Sequence, residues 1–295
     1  MKILLTGKNG QVGFELQRSL APLGSVYAVD SGDCDLANAD ALRALIRDVR
    51  PQLIVNPAAY TAVDRAETEV AKAMAVNAVA PGIMGEEADR LGASVIHFST
   101  DYVFDGRKPT PYTEQDPTGA LGVYGQSKLD GEKALASATS RHLILRTCWV
   151  VGAHGHNFAK TMLRLAAERK QLNVVSDQLG APTSAALLAD LSAHLVRRLQ
   201  TDSAESYPFG TYHLSASGET SWHAYACHVI TRALQAGRPL QLTPDNIRAI
   251  ATDDYPTAAR RPQNSRLDTS QFQATFGLRL PPWQHGLDHI LQQIL

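Results

Sequence analysis

Short apolar runs alternate with amphipathic stretches through the first half of the chain. Residues 2–6 read as a buried strand. A helix is predicted over 11–20, with Val12, Leu16 and Leu20 on one face. A second strand follows at 26–29. The 39–49 segment carries Leu42, Leu45, Ile46 and Val49 at helical spacing. Further strands are predicted at 53–56, 94–99 and 143–147. Between the third and fourth, the alanine-rich stretch 66–91 predicts a long helix interrupted near Pro81. Strands rich in Val, Ile and Leu that alternate with helices predict a parallel sheet covered on both faces. Right-handed crossovers then give a doubly wound α/β fold.

The rhythm changes after about residue 150. Helices are predicted at 157–169, 185–199 and 221–235, with shorter strands at 173–176 and 211–214. A stretch rich in Pro and Arg, 255–265, precedes a last helix at 285–295. The pattern divides the chain into a doubly wound domain, 1–150, open to recruitment of later segments, and a smaller α+β lobe, 151–295.

Composition narrows the class. Of 295 residues, 44% are hydrophobic and 19% charged, which excludes a mostly disordered chain. The net charge of −1 gives no global field for nucleic acid or an anionic membrane, so neither is expected as a partner. No apolar run reaches the roughly 18 residues of a membrane span, and the start, MKILLTGKNG, lacks the pattern of a signal peptide. The three cysteines, Cys34, Cys148 and Cys227, form no CxxC pair. Their odd number argues against a disulfide framework and for a reducing cytoplasm.

Candidate chemistry begins at the first strand–helix turn, Gly7-Lys8-Asn9-Gly10-Gln11-Val12-Gly13. Glycines there allow a tight turn and close approach of backbone to a pyrophosphate. The helix start supplies free N–H groups and the positive end of a dipole. This framing marks a Rossmann-type dinucleotide site. Asp30, after the second strand, suits ribose hydroxyls and repels a 2′-phosphate, whereas Lys8 could offset that repulsion. Asp35 and Leu36 follow where an adenine would lie. Ala58, Ala59, Tyr60 and Thr61 close the third strand with small residues that let a cofactor approach.

Tyr124 and Lys128 form a YxxxK pair, on one helix face. A nearby ammonium favours phenolate and would lower the tyrosine pKa from about 10, making Tyr124 a usable acid or base. Thr100 ends the fourth strand, where its hydroxyl can meet a substrate carbonyl oxygen.

Glycine loop, strand-end hydroxyl and YxxxK in this order resemble the extended short-chain dehydrogenase/reductase superfamily. GKNGQVG, VNPAAYTAVDRAE, STDYVFDG, YGQSKLDGE, RTCWVVG, DQLGAPT and ARRPQNSRLD narrow the likeness to the dTDP-4-dehydrorhamnose reductase family, across essentially the whole chain. The resemblance implies reduction of the C4 ketone of a dTDP-linked 4-keto-6-deoxy sugar by NADPH or NADH. It implies Tyr124 as proton donor, Lys128 on the nicotinamide ribose and Thr100 on the substrate oxygen. Gln11, Val12, Asp30, Asp35, Leu36, Ala59, Tyr60 and Thr61 are implied cofactor contacts. Thr100, Asp101, Tyr102 and Trp149 would line the sugar-nucleotide pocket, with Arg260 and Arg261 on the diphosphate. Some members resemble magnesium-linked dimers. Glu15 and Asp190 match two such Mg2+ positions, and Gln292-Gln293 stands where a third carboxylate is expected. Monomer and homodimer both remain open. Two other readings stay in view: a nucleotide-sugar epimerase or dehydratase of the same superfamily, and a non-catalytic NADP-binding regulatory subunit. Asp101-Tyr102 stands where the dehydratases carry an Asp-Glu pair, and the intact Thr100, Tyr124 and Lys128 argue against a regulatory role.

Overall fold

A computed structural model describes residues 1–295. Its centre is a six-stranded sheet. Strands β1 (Lys2–Leu5), β2 (Ser25–Ala28), β3 (Leu53–Asn56), β4 (Ser94–Thr100) and β5 (His142–Thr147) are joined by a sixth, Gly210–His213. Every pairing is parallel. The spatial order runs from the sixth strand through β5, β4, β3 and β1 to β2. The chain therefore moves outward from β1 to β2, then returns to the other side at β3. That reversal opens a crevice at the carboxyl ends of β1 and β3.

Alternation along the strands builds two apolar layers. Ile3, Leu5, Leu53, Val55, Ile96, Phe98, Leu143 and Leu145 face one side. There they meet Leu16 and Leu20 of helix α1 (Gln11–Leu20) and Leu188, Leu191 and Leu195 of the helix Ala185–Thr201. Leu4, Ile54, Val95 and Ile144 face the other side, against α2 (Ala39–Val49) and the helices Ala80–Leu91 and Val123–Ala138. A third cluster is built from residues 148–181, 216–247 and 283–291. In it the strand Leu172–Val175 pairs with Ile247–Ile250 beneath the helices Phe158–Glu168, Trp222–Gln235 and Trp283–Ile294.

Helices 11–20 and 39–49 form over the expected residues. Asn38 caps the second, accepting from the Ala41 N–H. The long helix expected over 66–91 is broken differently from the expectation. One break lies at 67–69, between Val63–Ala66 and Val70–Met74, and a π-helical turn at Ala75–Val79 precedes Pro81. Pro81 sits in the first turn of the next helix, where its missing N–H costs least. The segment expected as a strand at 211–214 is the sixth strand of the main sheet. The short helix Ser270–Phe276, which escaped the periodicity, sends Phe272 into the core beneath that sheet. No helix is long and apolar enough to cross a membrane.

Candidate active site

A cavity of about 690 Å³ opens at the crevice between β1 and β3. Its floor is the turn from β1 into α1. Gly7 has φ +63°, and its carbonyl accepts from the Gly10 N–H at 2.9 Å. A Cβ on Gly13 would lie 2.0 Å from that carbonyl, so only glycine lets the helix start this close to the turn. The segment 152–157 lies across the same turn. Asn157 donates to Gln11 Oε1 at 3.0 Å, and His154 donates to the Asn9 carbonyl at 3.0 Å while stacking on Phe14. Gly155 and His156 thereby reach the cavity wall.

The residues expected to contact a cofactor all line this cavity: Gly7, Gly10, Gln11, Val12, Gly13, Asp30, Asp35, Leu36, Ala58, Ala59, Tyr60, Thr61, Tyr124 and Lys128. A glycine turn and the start of α1 on the wall of a cavity of this size fit the pyrophosphate of a dinucleotide. At the outer end, Asp30 lies two residues beyond β2 and caps its own turn, accepting from the Gly32 N–H at 2.8 Å. It also accepts from Asn9. Lys8 is held by Asp33 at 2.5 Å and lies 3.8 Å from Asp30.

At the inner end, the helix Val123–Ala138 carries Tyr124 and Lys128 one turn apart. Glu67 accepts from the Val123 N–H at 2.8 Å and anchors its start. Asn77, in the π-helical turn, accepts from the Tyr60 N–H at 2.8 Å and donates to Ser127 Oγ at 3.0 Å. It thus ties the loop after β3 to the helix of Tyr124. Lys128 is buried and turned toward the sheet, donating to the Phe98 carbonyl at 2.7 Å, with His97 Nε2 at 3.1 Å. Burial lowers its pKa to about 8, against the pull of Glu132. The expected lowering of the tyrosine is not what the chain itself produces. Burial pushes the Tyr124 phenol up to about 12, only partly offset by the nearby Thr100 hydroxyl.

Comparison with known proteins decides the family. The model of the RmlD substrate binding domain matches residues 1–295. A dTDP-4-dehydrorhamnose reductase of Escherichia coli (strain K12) is 49% identical, over 100% of this chain and 98% of its own. The enzyme of that name from Burkholderia thailandensis is 44% identical, over 100% of this chain and 99% of its own. The chain belongs to the dTDP-4-dehydrorhamnose reductase family. A crystal structure of such a reductase from Bacillus anthracis in complex with NADP superposes with a TM-score of 0.89 at 32% identity, covering 99% of both chains.

Of the remaining expected residues of this reductase-family chain, Tyr102 and Arg260 share a cavity with Tyr124, and the others do not. Thr100 ends β4 and accepts from the Tyr102 N–H at 3.2 Å, while its hydroxyl donates to Asp101 Oδ1 at 3.1 Å. Asp101 is buried with Oδ2 unpartnered, and burial lifts its pKa to about 7. Tyr102 meets Tyr124 edge to face, and both line a second, smaller cavity with Arg260. Arg261 is turned away from it, paired with Asp64 at 2.7 Å. Trp149 stands apart from both cavities. It adopts φ +46°, a strained conformation for a bulky residue, and its indole stacks on Trp222 with centroids 3.7 Å apart. Gly180 makes room for that stack, since a Cβ there would lie 2.6 Å from the indole. Cys148 is buried and its thiol is pushed up to about 12, in keeping with a small apolar residue rather than a nucleophile.

Glu15 and Asp190, the positions expected to hold Mg2+ between subunits, share one arginine within the chain. Arg18 lies between them, 3.3 Å from Glu15 and 3.0 Å from Asp190. The positive charge between those carboxylates is a guanidinium, and no group of three or more metal-ligating side chains gathers anywhere in the chain. Several residues of the site carried no motif. Asn77 was a lone amide in an alanine-rich run, His97 a lone imidazole in an apolar strand, and Asp33 one acid among several in a turn. A polar residue interrupting an apolar run was the signal available for the first two.

Proposed function

We propose that this chain reduces the C4 ketone of dTDP-4-dehydro-L-rhamnose to dTDP-L-rhamnose, with NADPH or NADH as reductant. The observation that carries the reading is that Tyr124 and Lys128, one helical turn apart, line the same cavity as the glycine turn, beside the end of β4 where Thr100 stands. The reduced nicotinamide, when bound, supplies the hydride. Tyr124 donates its phenolic proton to the carbonyl oxygen as carbon gains hydrogen, so the ketone becomes a secondary alcohol. A phenol lifted to about 12 stays protonated at neutral pH, which suits an acid. Thr100, its hydroxyl turned from Asp101, donates a hydrogen bond to the same oxygen and meets its growing negative charge. Lys128 orients the nicotinamide ribose. Arg260, which has no ion pair within the chain, meets the diphosphate of the sugar nucleotide, and Arg261 steadies the loop through Asp64.

The test is the absorbance of the reduced nicotinamide in the presence of enzymatically prepared keto sugar. Net, substrate-dependent oxidation supports reduction; sugar conversion without net oxidation would favour an epimerase or dehydratase. Tyr124→Phe is expected to lower kcat by about 100-fold or more with dinucleotide affinity retained, following the size of general acid effects. Wild-type turnover by that variant would remove Tyr124 from the acid role.

A further inference from the structure

Three adjacent strands change character at the same level. On the face beneath the helix Val123–Ala138, Leu4 of β1, Ile54 of β3 and Val95 of β4 are apolar and share one core cluster. Two residues further on, the same face carries Thr6, Asn56 and His97. All three are at most 1% exposed. Asn56 and His97 are register partners across β3 and β4. Thr6 Oγ1 donates to Asn56 Oδ1 at 2.5 Å, and Asn56 Nδ2 lies 2.9 Å from His97 Nδ1. The other ring nitrogen of His97 faces Lys128 Nζ at 3.1 Å. An unbroken polar row thus runs beneath the cavity floor from the glycine turn to the lysine, where leucines would satisfy packing alone. Buried polar groups without partners are costly, yet the row leaves none of its members unpaired.

We propose that His97 is a positioning residue for the reductase: its Nε2 accepts from Lys128 and fixes the ammonium below the nicotinamide ribose. The inference rests on the assignment of Lys128 to the dinucleotide. Proton accounting gives it a second consequence. A neutral imidazole has one N–H. While Lys128 is charged, the Asn56 carboxamide is turned by half from the placement above: the proton sits on Nδ1 and is donated to the Asn56 oxygen, and the Asn56 NH2 is donated to Thr6. When Lys128 loses a proton, the row reverses: His97 donates from Nε2 to the amine, the Asn56 NH2 faces Nδ1, and the Thr6 hydroxyl is donated to Asn56. The His97 tautomer therefore reports the charge of Lys128.

The charged and titratable groups around this pair are few. Tyr124 and Glu132 lie one turn to either side of Lys128 on the same helix. Glu132 is engaged by Ser99 and by Arg146 of β5, the latter at 2.6 Å. Burial keeps His97 itself neutral, its pKa held well below the ordinary value.

The test uses the full chain, with His97→Leu and His97→Gln. Glutamine can place an acceptor near Nε2; leucine cannot. His97→Leu is expected to lower kcat about 10- to 100-fold, the scale of one hydrogen bond to a charged group. Loss of an acceptor favours the neutral amine, so the alkaline limb of the kcat profile moves to lower pH. The keto-sugar KM stays within about twofold, since the loss falls on the chemical step. Glutamine restores most of both. Wild-type behaviour of His97→Leu overturns the proposal, and so does a glutamine variant as impaired as leucine. Should His97→Leu not fold, 15N NMR of histidine-labelled wild-type protein decides independently. At pH 6.5 the expected form is Nδ1–H with Nε2 unprotonated; an Nε2–H or doubly protonated ring overturns it. If wild-type protein reduces no keto sugar, the functional assignment fails instead, and the NMR result still stands on its own.

Discussion

Asp101 holds one carboxylate oxygen against Thr100 and leaves the other unpartnered in the interior. Its pKa of about 7 in the fold lies above the ordinary value near 3.8. Below the ordinary value both folded and unfolded chains carry the proton, and the carboxyl costs nothing. As pH rises toward 7 the unfolded chain ionises first, so stability falls across that window and then levels off. Asp101→Asn removes the titration. Its melting temperature relative to wild type is expected to climb between about pH 4 and pH 7 and then stay flat; a constant difference across that range would count against the buried neutral carboxyl. The outer end of the cavity offers another residue-scale test. Lys8 faces two carboxylates, Asp30 and Asp33, and Asp33 holds it more closely. Asp33→Asn frees the ammonium for a 2′-phosphate. The NADPH-to-NADH ratio of kcat/KM, and of directly titrated affinities, is expected to rise severalfold, and an unchanged ratio would place the choice elsewhere. Asp30 was legible as a candidate because a strand-end acid has a known use. Asp33 was not, because which of two nearby acids takes the lysine depends on how the turn folds.

Two helix contacts at the element scale leave no room for side chains. A Cβ on Gly131 would lie 2.0 Å from the Asn77 carbonyl, and one on Gly125 would lie 2.2 Å from the Tyr102 carbonyl. Pro81, four residues after Asn77, has no N–H to offer that carbonyl, and the π-helical turn brings it against the glycine. Gly131→Ala would gain about 1 kcal/mol of helix propensity but must push the helix off its neighbour. The net expectation is a melting temperature lower by several degrees and a sharp fall in kcat, because Tyr124 and Lys128 ride on the displaced helix. Gly119→Ala, with its nearest neighbour at 3.6 Å, is the matched control and is expected to be nearly neutral. Periodicity and capping made α1 and α2 legible almost to the residue, since each is set by its own sequence. The breaks in 66–91 were not, because they answer to Asn77 bridging Tyr60 and Ser127 from other elements. The helix Ser270–Phe276 is too short to show a period, and only its burial beneath the sixth strand defines it.

For the molecule as a whole, the boundary near residue 150 does not separate the cores. The first core includes Leu188, Leu195, Tyr212, Leu214, Phe272 and Leu280 alongside residues of β1 to β5. A fragment of residues 1–150 lacks both the sixth strand and the helix that covers α1. It is expected to be insoluble, or to bind hydrophobic dye without a cooperative melting transition; a cooperative transition in that fragment would show the first half to be self-sufficient. The two halves are consequently interleaved. Following the core residues along the sequence, the chain passes between the first and second cores near 147, 185, 215, 260 and 282. A second half woven in this way cannot be exchanged as one cassette. A chimera joining the first half of this chain to the second half of a relative would need several crossovers placed together, so variants of this fold are reached more readily by point changes than by recombination.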